Sequence, residues 1–455
     1  MVLSRLQVAL FILTILSVPF AGFQLADFLG YGVTLSDVTA VLMIAVCLLV
    51  ILIRGRTRVT IIFLGSLGLL FVTSLTVVSI LEAGLSPWEW AKFIIHFFFF
   101  ILFLLAVINT DVDLKTVRSI LRLFVIEAVA LSVCGIYQLP ARLYDWPLGW
   151  LPLNNISFGS MRTTTFLEYP RISSVFTEPL WFSSYLIPPI LLISFDLFNK
   201  NFLFNKKVEF LLLLVLGISW FLTFSLGGYF VFFFTLSLLF FSYLSRKLSA
   251  QKLTLSVRNL HLSLTLLTLM VVAGVLLTQI EGFQNLLDAI WHRVGGVLKY
   301  VVTGSSETLI SGESLPDRLQ DFFEAYKIWL AHPIIGIGMD SYYTFYNSEN
   351  FLDSLYAQFL AEAGILGLLS LAIFFWFILK YISYVARCYR HSPYSFLIRS
   401  FYWIIVAKVI GFLTSASFLS MDFWLPVALF LLTAIALRRS YENSATCTTA
   451  ALSTR

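Results

Sequence analysis

The sequence predicts an all-α, polytopic integral membrane protein with about twelve spanning helices and a large late outer loop that carries amphipathic helices. Three observations predict it. Only 12% of the residues are charged and the mean hydropathy is +0.90, whereas soluble domains carry about 25% charge. Apolar runs of roughly twenty residues, the length that crosses a bilayer, recur along the chain. Phe, Trp and Tyr make up 16% of it, which suits lipid-facing surfaces and interfacial belts.

Taken in order, the runs are roughly 5–23, 35–53, 59–81, 91–108, 117–139, 178–198, 208–224, 229–244, 261–279, 356–379, 401–419 and 424–437. The first follows MVLSR and no small-residue cleavage site follows it, so it reads as a retained helix and not a signal peptide. The Lys/Arg bias sets the orientation. With the N-terminus inside, the inner connections collect Arg54, Arg56 and Arg58, then Lys115, Arg118 and Arg122, then Lys200, Lys206 and Lys207, and later Arg438 and Arg439. Both termini are therefore expected in the cytoplasm, with residues 440–455 as a disordered cytoplasmic tail. Residues 1–455 read as one membrane domain without an internal repeat.

Two long loops then fall outside, 140–177 and 280–355. The first holds PARLYDWPLGW and PRISSVFTEP, a compact interfacial segment by its prolines and tryptophans. Thr177 is the expected N-cap of the next span, with Pro179 in its first turn. In the second loop, apolar residues at helical spacing predict a surface-lying helix over 283–302. A polar linker precedes a second amphipathic helix over 317–331, which Pro333 stops because the residue before a proline avoids helical geometry. Helix is expected to resume near Leu352 and run on as the tenth span.

The four cysteines have no CxxC or metal-like spacing, so neither a disulfide framework nor a metal site is expected. P-loop, HExxH and GxSxG motifs are absent from the sequence, and nothing in it suggests a nucleic-acid partner. The reactive side chains concentrate between Arg318 and Gly367 and around Arg171. Arg171, seven residues before Glu178, fits either a headgroup anchor or a guanidinium fork for phosphate oxygens. Arg318 has Asp321 at i+3, the spacing of a solvated ion pair. Fourteen residues separate Arg318 from His332, about 21 Å along a straight helix, so unless that helix is broken the two cannot grip one small group and would act on different parts of a long substrate. His332 closes a helix, where it suits a cap, a general base or a phosphate partner, and the Gly336–Gly338 turn after it leaves room for backbone to approach a ligand. Asp353 and Glu362 are carboxylates near hydrocarbon, where such groups tend to mark function. Asp353, nearer water, is the better base, whereas Asp340 and Glu349 read as solvated loop residues. Lys92 and His96 share one helix face and either extend a basic cavity or anchor the helix. Lys408 lies deep in a span and either snorkels or pairs with Glu127 or another acid.

These residues resemble a known family. RISSVFTEPLWFSSYL (171–186) is similar to the arginine segment that opens a middle helix in bacterial O-antigen polymerases and ligases. Arg318 to Gly338, with its H-P-I-I-G-I-G ending, resembles their main signature, and A-E-A-G-I-L-G (361–367) follows as it does in that family. The resemblance implies a glycosyltransferase of the bacterial inner membrane that needs neither metal, nucleotide nor other cofactor. Its substrate would be an undecaprenyl-pyrophosphate-linked oligosaccharide used at the periplasmic face. A chain-length regulator, a flippase and membrane lipids are the implied partners. Arg171 and Arg318 would hold the leaving pyrophosphate, and His332 would belong to the same site. Two positions depart from the family pattern. Asp353 stands where the ligases resemble one another in a histidine, which fits a polymerase better, and S-L-G-G (225–228) lacks the arginine that often follows the serine. The leading expectation is a polymerase of surface-polysaccharide repeat units (O-antigen, capsule or exopolysaccharide), ahead of a ligase to lipid A–core. A transporter, which would concentrate polar residues near the bilayer midplane, ranks third.

Overall fold

The structure, a computed structural model, describes residues 2–21, 23–28, 31–149, 165–166, 169–199, 202–249, 315–346 and 352–453. Helices dominate it. They are α1 (Val2–Ser17), α2 (Leu35–Arg54), α3 (Ile61–Leu75), α4 (Val77–Glu82), α5 (Trp88–Ile108), α6 (Leu114–Leu143), α7 (Pro179–Leu197), α8 (Lys206–Leu222) and α9 (Leu226–Ser249). After the loop come α10 (Leu315–Ala331), α11 (Tyr342–Tyr346), α12 (Leu355–Glu362), α13 (Gly364–Cys388), α14 (Ser395–Gly411) and α15 (Met421–Ser453). Two small antiparallel hairpins, Gln24–Phe28 with Tyr31–Thr34 and Thr165–Phe166 with Tyr169–Pro170, sit in connections.

The protein is an all-α, multi-pass membrane protein. Among the described residues, eight helices are long and apolar enough to cross a membrane. The expected spans 208–224, 229–244 and 401–419 correspond to α8, α9 and α14, which fall short of that test, and 261–279 and 283–302 lie outside the described residues. Lipid tails are as apolar as leucine, so helix association here rests on close packing and hydrogen bonds more than on exclusion of water. That packing centres on α15. Trp424 is fully buried against Phe97, Phe100, Phe374, Phe418 and Phe423, and its indole N–H donates to Phe418 O at 2.8 Å.

One end of the bundle gathers the basic connections. Arg54 Nη1 lies 2.9 Å and Arg58 Nη1 3.3 Å from the Asp111 carboxylate, which Arg439 also grips. Ser4 Oγ donates to Asp111 O at 3.3 Å, so the N-terminal helix starts at this end too. Burial pushes the Asp111 carboxyl up, but Arg439 and Arg54 outweigh it and hold the group below the usual range.

Run 59–81 crosses as one span, with a local irregularity at Thr76 between α3 and α4, where the Thr76 hydroxyl bonds back to Thr73 O at 2.7 Å. Three local expectations change. Glu178, not Thr177, is the N-cap of α7, with Pro179 at N1 and no side-chain capping bond. The expected tenth span is interrupted between α12 and α13 at Ala363, where Gly364 takes φ +61°. The tail continues α15 as helix to Ser453, started by an Arg438–Glu442 pair one turn apart.

Candidate active site

The two glycine motifs, separate in sequence, are halves of one interlocked structure. The carbonyls of Pro333 and Ile334 accept from Ile365 N (2.9 Å) and Leu366 N (3.2 Å), capping the N-terminus of α13. In return, Ile337 N and Gly338 N donate to the carbonyls of Ala361 (3.1 Å) and Glu362 (2.8 Å). The breaking of the tenth span thus has a tertiary cause, since the orphan amides of a new helix start are met by the HPII segment. Glycine is required on both sides. A Cβ on Gly336 (φ +66°) would lie 2.3 Å from Glu362 C, and one on Gly364 would lie 2.5 Å from Ile334 O. The space that the sequence suggested for a ligand is occupied at Gly336 by the backbone of Ala361 and Glu362 and at Gly338 by the Ile80 side chain.

Glu362 is fixed inside this knot. Its carboxylate accepts from Asp340 N at 2.9 Å and Tyr342 N at 3.0 Å, which places it as a pin of the turn. Met339 N donates to Thr76 Oγ1 at 3.1 Å, tying the turn to the α3–α4 break. Asp340, read from sequence as solvated, is partly buried in the left-handed region (φ +59°). Burial and the charge of Glu89 push its carboxyl up to about 6, against the opposing pull of Lys92. Lys92 Nζ is itself 2.7 Å from both Glu89 oxygens and 5.9 Å from the Trp88 ring. His96 stacks on Phe100 at 5.0 Å. The i,i+3 spacing of Glu89 and Lys92 was visible in the sequence, so this pair was a missed signal.

Helix α10 is unbroken, so Arg318 and His332 stay at opposite ends of it. His332 N donates to Ile328 O at 2.9 Å and its ring meets Phe345 edge-on. At the other end Asp353 N donates to Asp321 Oδ2 at 3.0 Å, one turn from Arg318, whose side chain lies outside the described residues. Contacts at 321–353 and at 337–361 show that α10 and α12 run side by side in the same direction. Ala325, Ile328, Ala357 and Ala361 are buried in their seam. The structure therefore joins Asp353 to the Arg318 turn and separates both from His332. Asp353 is also held beside α14, because Leu355 N and Ser354 Oγ donate to Phe412 O at 3.0 and 3.3 Å.

Arg171 is built in from two sides. Its Nε donates to Thr223 O at 3.2 Å, and Arg142 donates to its carbonyl. Arg142 also reaches Gly149 O at 2.8 Å and Ser173 Oγ at 3.3 Å. The Gln138 amide grips Ser174, receiving its N–H at 2.7 Å and donating to its carbonyl at 2.6 Å. Residues 172–176 are buried. Gln138 and Arg142 were not singled out from sequence, because a glutamine one turn before an arginine carries no motif.

Thr223 leads into α9, where Ser225 Oγ accepts from Gly228 N at 3.3 Å. Gly228, Leu180, Ser184, Thr414 and Asp422 line one cleft. In its wall Lys408 pairs with Asp422 at 2.6 Å. The acid partner of Lys408 is thus Asp422 and not Glu127, which accepts from Tyr185 Oη at 3.1 Å. An acid inside the apolar MDFWL was the available signal.

A family model described as O-antigen ligase matches residues 211–372, from α8 through both halves of the glycine knot into α13. Over these residues the chain is similar to the O-antigen ligase family. No curated protein matches it. That match supports a glycan-transferring membrane enzyme of the ligase or polymerase type. Arg318, His332 and Asp353 lie within the matched residues, and Arg171, Lys408 and Asp422 outside them.

Proposed function

We propose that the protein polymerises undecaprenyl-pyrophosphate-linked oligosaccharide repeat units into a surface polysaccharide at the periplasmic face. The observation that carries this reading is that Arg171, Glu178, Asp353 and the Arg318 turn all stand at the bundle end opposite Asp111. Basic residues favour the cytoplasmic side, which supports the Asp111 end as the cytoplasmic one, and Ser4 and Arg439 at that end support the same side for both termini.

In the proposed step the bond between C1 of the reducing-end sugar and its pyrophosphate oxygen breaks as an acceptor hydroxyl oxygen bonds to C1. The hydroxyl proton passes to the Asp353 carboxylate, and undecaprenyl pyrophosphate leaves with the bonding pair. Arg171 and Arg318 stabilise the negative charge that grows on the leaving group, the kind of preorganised electrostatic help that usually dominates such barriers. A single base opposite the leaving group favours inversion at C1. His332, Gly336, Gly338 and Glu362 hold the knot that sets α10 against α12, and Lys92 supports it from α5.

A ligase reading is favoured by the description of the matching family model. Asp353, at the position where the ligases resemble one another in a histidine, favours the polymerase. Purified protein given one lipid-linked repeat unit and no other acceptor decides between them. A ladder of multiples supports the polymerase. Product formed only after lipid A–core is added makes the protein a ligase, and no transfer in either case revives a transporter.

A further inference from the structure

The hydrogen bonds around Lys408 can be accounted for completely, and they leave one acceptor in surplus. An ammonium has three N–H donors, and three acceptors meet it: Asp422 Oδ1 at 2.6 Å, Ser184 O at 3.0 Å and Ser184 Oγ at 3.0 Å. Asp422 Oδ2 takes the Ser184 hydroxyl at 3.0 Å. A carboxylate offers about four lone-pair sites, so two remain. Lys408 is 5% exposed, while Asp422 lines the cleft.

The cleft is shallow and open on one side, so an occupant larger than a water lies partly outside it. Trp181, 40% exposed, forms part of one wall, and Thr414, Ser415 and Ser417 lie across from it. This chemistry selects its occupant. The ammonium has no donor left for an anion, and the carboxylate beside it repels phosphate. Hydroxyl donors are welcome, and an aromatic face suits the apolar side of a pyranose ring.

We infer that this cleft is a sugar subsite, in which Asp422 accepts a hydroxyl of one glycosyl unit of the substrate and Trp181 packs against its ring. Lys408 and Ser184 are positioning residues that hold the carboxylate. The inference rests on the reading of the chain as a glycan-transferring enzyme, and it gives the cleft to the neutral sugar and leaves the pyrophosphate to the arginines.

The test uses full-length protein in detergent and two probes: the repeat-unit oligosaccharide freed of its lipid, and undecaprenyl pyrophosphate. Asp422→Asn keeps the shape but removes the counter-charge of Lys408, so a folding check accompanies it. Trp181→Ala, at an exposed position, provides the second variant. Each is expected to weaken oligosaccharide binding by about tenfold, equivalent to 1.4 kcal/mol, and to leave undecaprenyl pyrophosphate binding at the wild-type value. Wild-type oligosaccharide affinity in Trp181→Ala, or a loss confined to the pyrophosphate lipid, overturns the assignment. If wild-type protein extends lipid-linked units while Trp181→Ala keeps its KM, the subsite falls and the functional reading stands. If wild-type protein transfers no glycan at all, the functional reading falls, and the oligosaccharide titration still decides the subsite.

Discussion

The two ends of the bundle handle charge in different ways. At the Asp111 end, three arginines from two segments share one carboxylate and stay partly in solvent, with the Arg58 side chain 48% exposed. At the other end the cations are fewer and built in. Arg171 and Arg142 donate to backbone carbonyls, Lys92 is held by Glu89, and Lys408 is buried on Asp422. Exposed pairs contribute about 0–1 kcal/mol and serve orientation. A cation fixed by backbone carbonyls in a cleft has been given a direction, and that marks a site.

Substitutions sharpen the contrast. The largest effect is expected from Lys408→Met, which leaves Asp422 buried without its partner. Breaking one side of a buried pair costs about 3–5 kcal/mol, read as loss of thermal stability in detergent, and replacing Asp422 by Leu as well should recover part of it. Arg171→Ala is expected to lower transfer by about 10²–10³, the usual cost of one charge-stabilising donor. Arg171→Lys should recover little of that, because the planar fork is lost. Initial rates on folded protein check both.

Gly336→Ala addresses the knot. A Cβ 2.3 Å from Glu362 C at positive φ costs at least about 1–3 kcal/mol of backbone strain. The expected result is a lower melting temperature with loss of the native loop. Asp340 gives a pH signature. Its carboxyl is raised to about 6 in the fold, from 3.8. An acid raised on folding contributes stability that is complete below its unfolded value and is lost as pH rises through the folded one. Stability of the knot should therefore fall between pH 4 and 6. Asparagine tolerates the left-handed backbone, so Asp340→Asn should flatten that slope in a pH series of melting curves. The smallest effect belongs to Arg54→Gln at the opposite end, under about 1 kcal/mol and with unchanged transfer rate.

Much of the architecture was legible in the sequence. Runs 35–53 and 91–108 match α2 and α5 closely, because their ends carry readable signals such as the Thr34–Asp37 capping box and Gly55 in the left-handed region. The grouping of basic segments was legible too, since Arg54, Arg58 and Arg439 meet at Asp111. The break at Gly364 was not, because AEAGILG reads as good helix until Pro333 and Ile334 arrive to cap a new start. Lys408 was noticed, but Asp422 was not, because their pairing depends on how α14 and α15 pack and no local spacing encodes it. The separation of Arg318 from His332 along α10 was legible from the length of one helix, whereas the contact of Asp353 with the Arg318 turn depends on how α10 and α12 pack and was not.

The measurement that tests the central claim most directly is single-turnover release of undecaprenyl pyrophosphate from one lipid-linked repeat unit. It compares wild-type protein with folded Arg171→Ala and Asp353→Ala. The account predicts release by wild-type protein and a loss of about 10² or more in each variant. Release at the wild-type rate in both variants would contradict it and place the chemistry elsewhere on the chain.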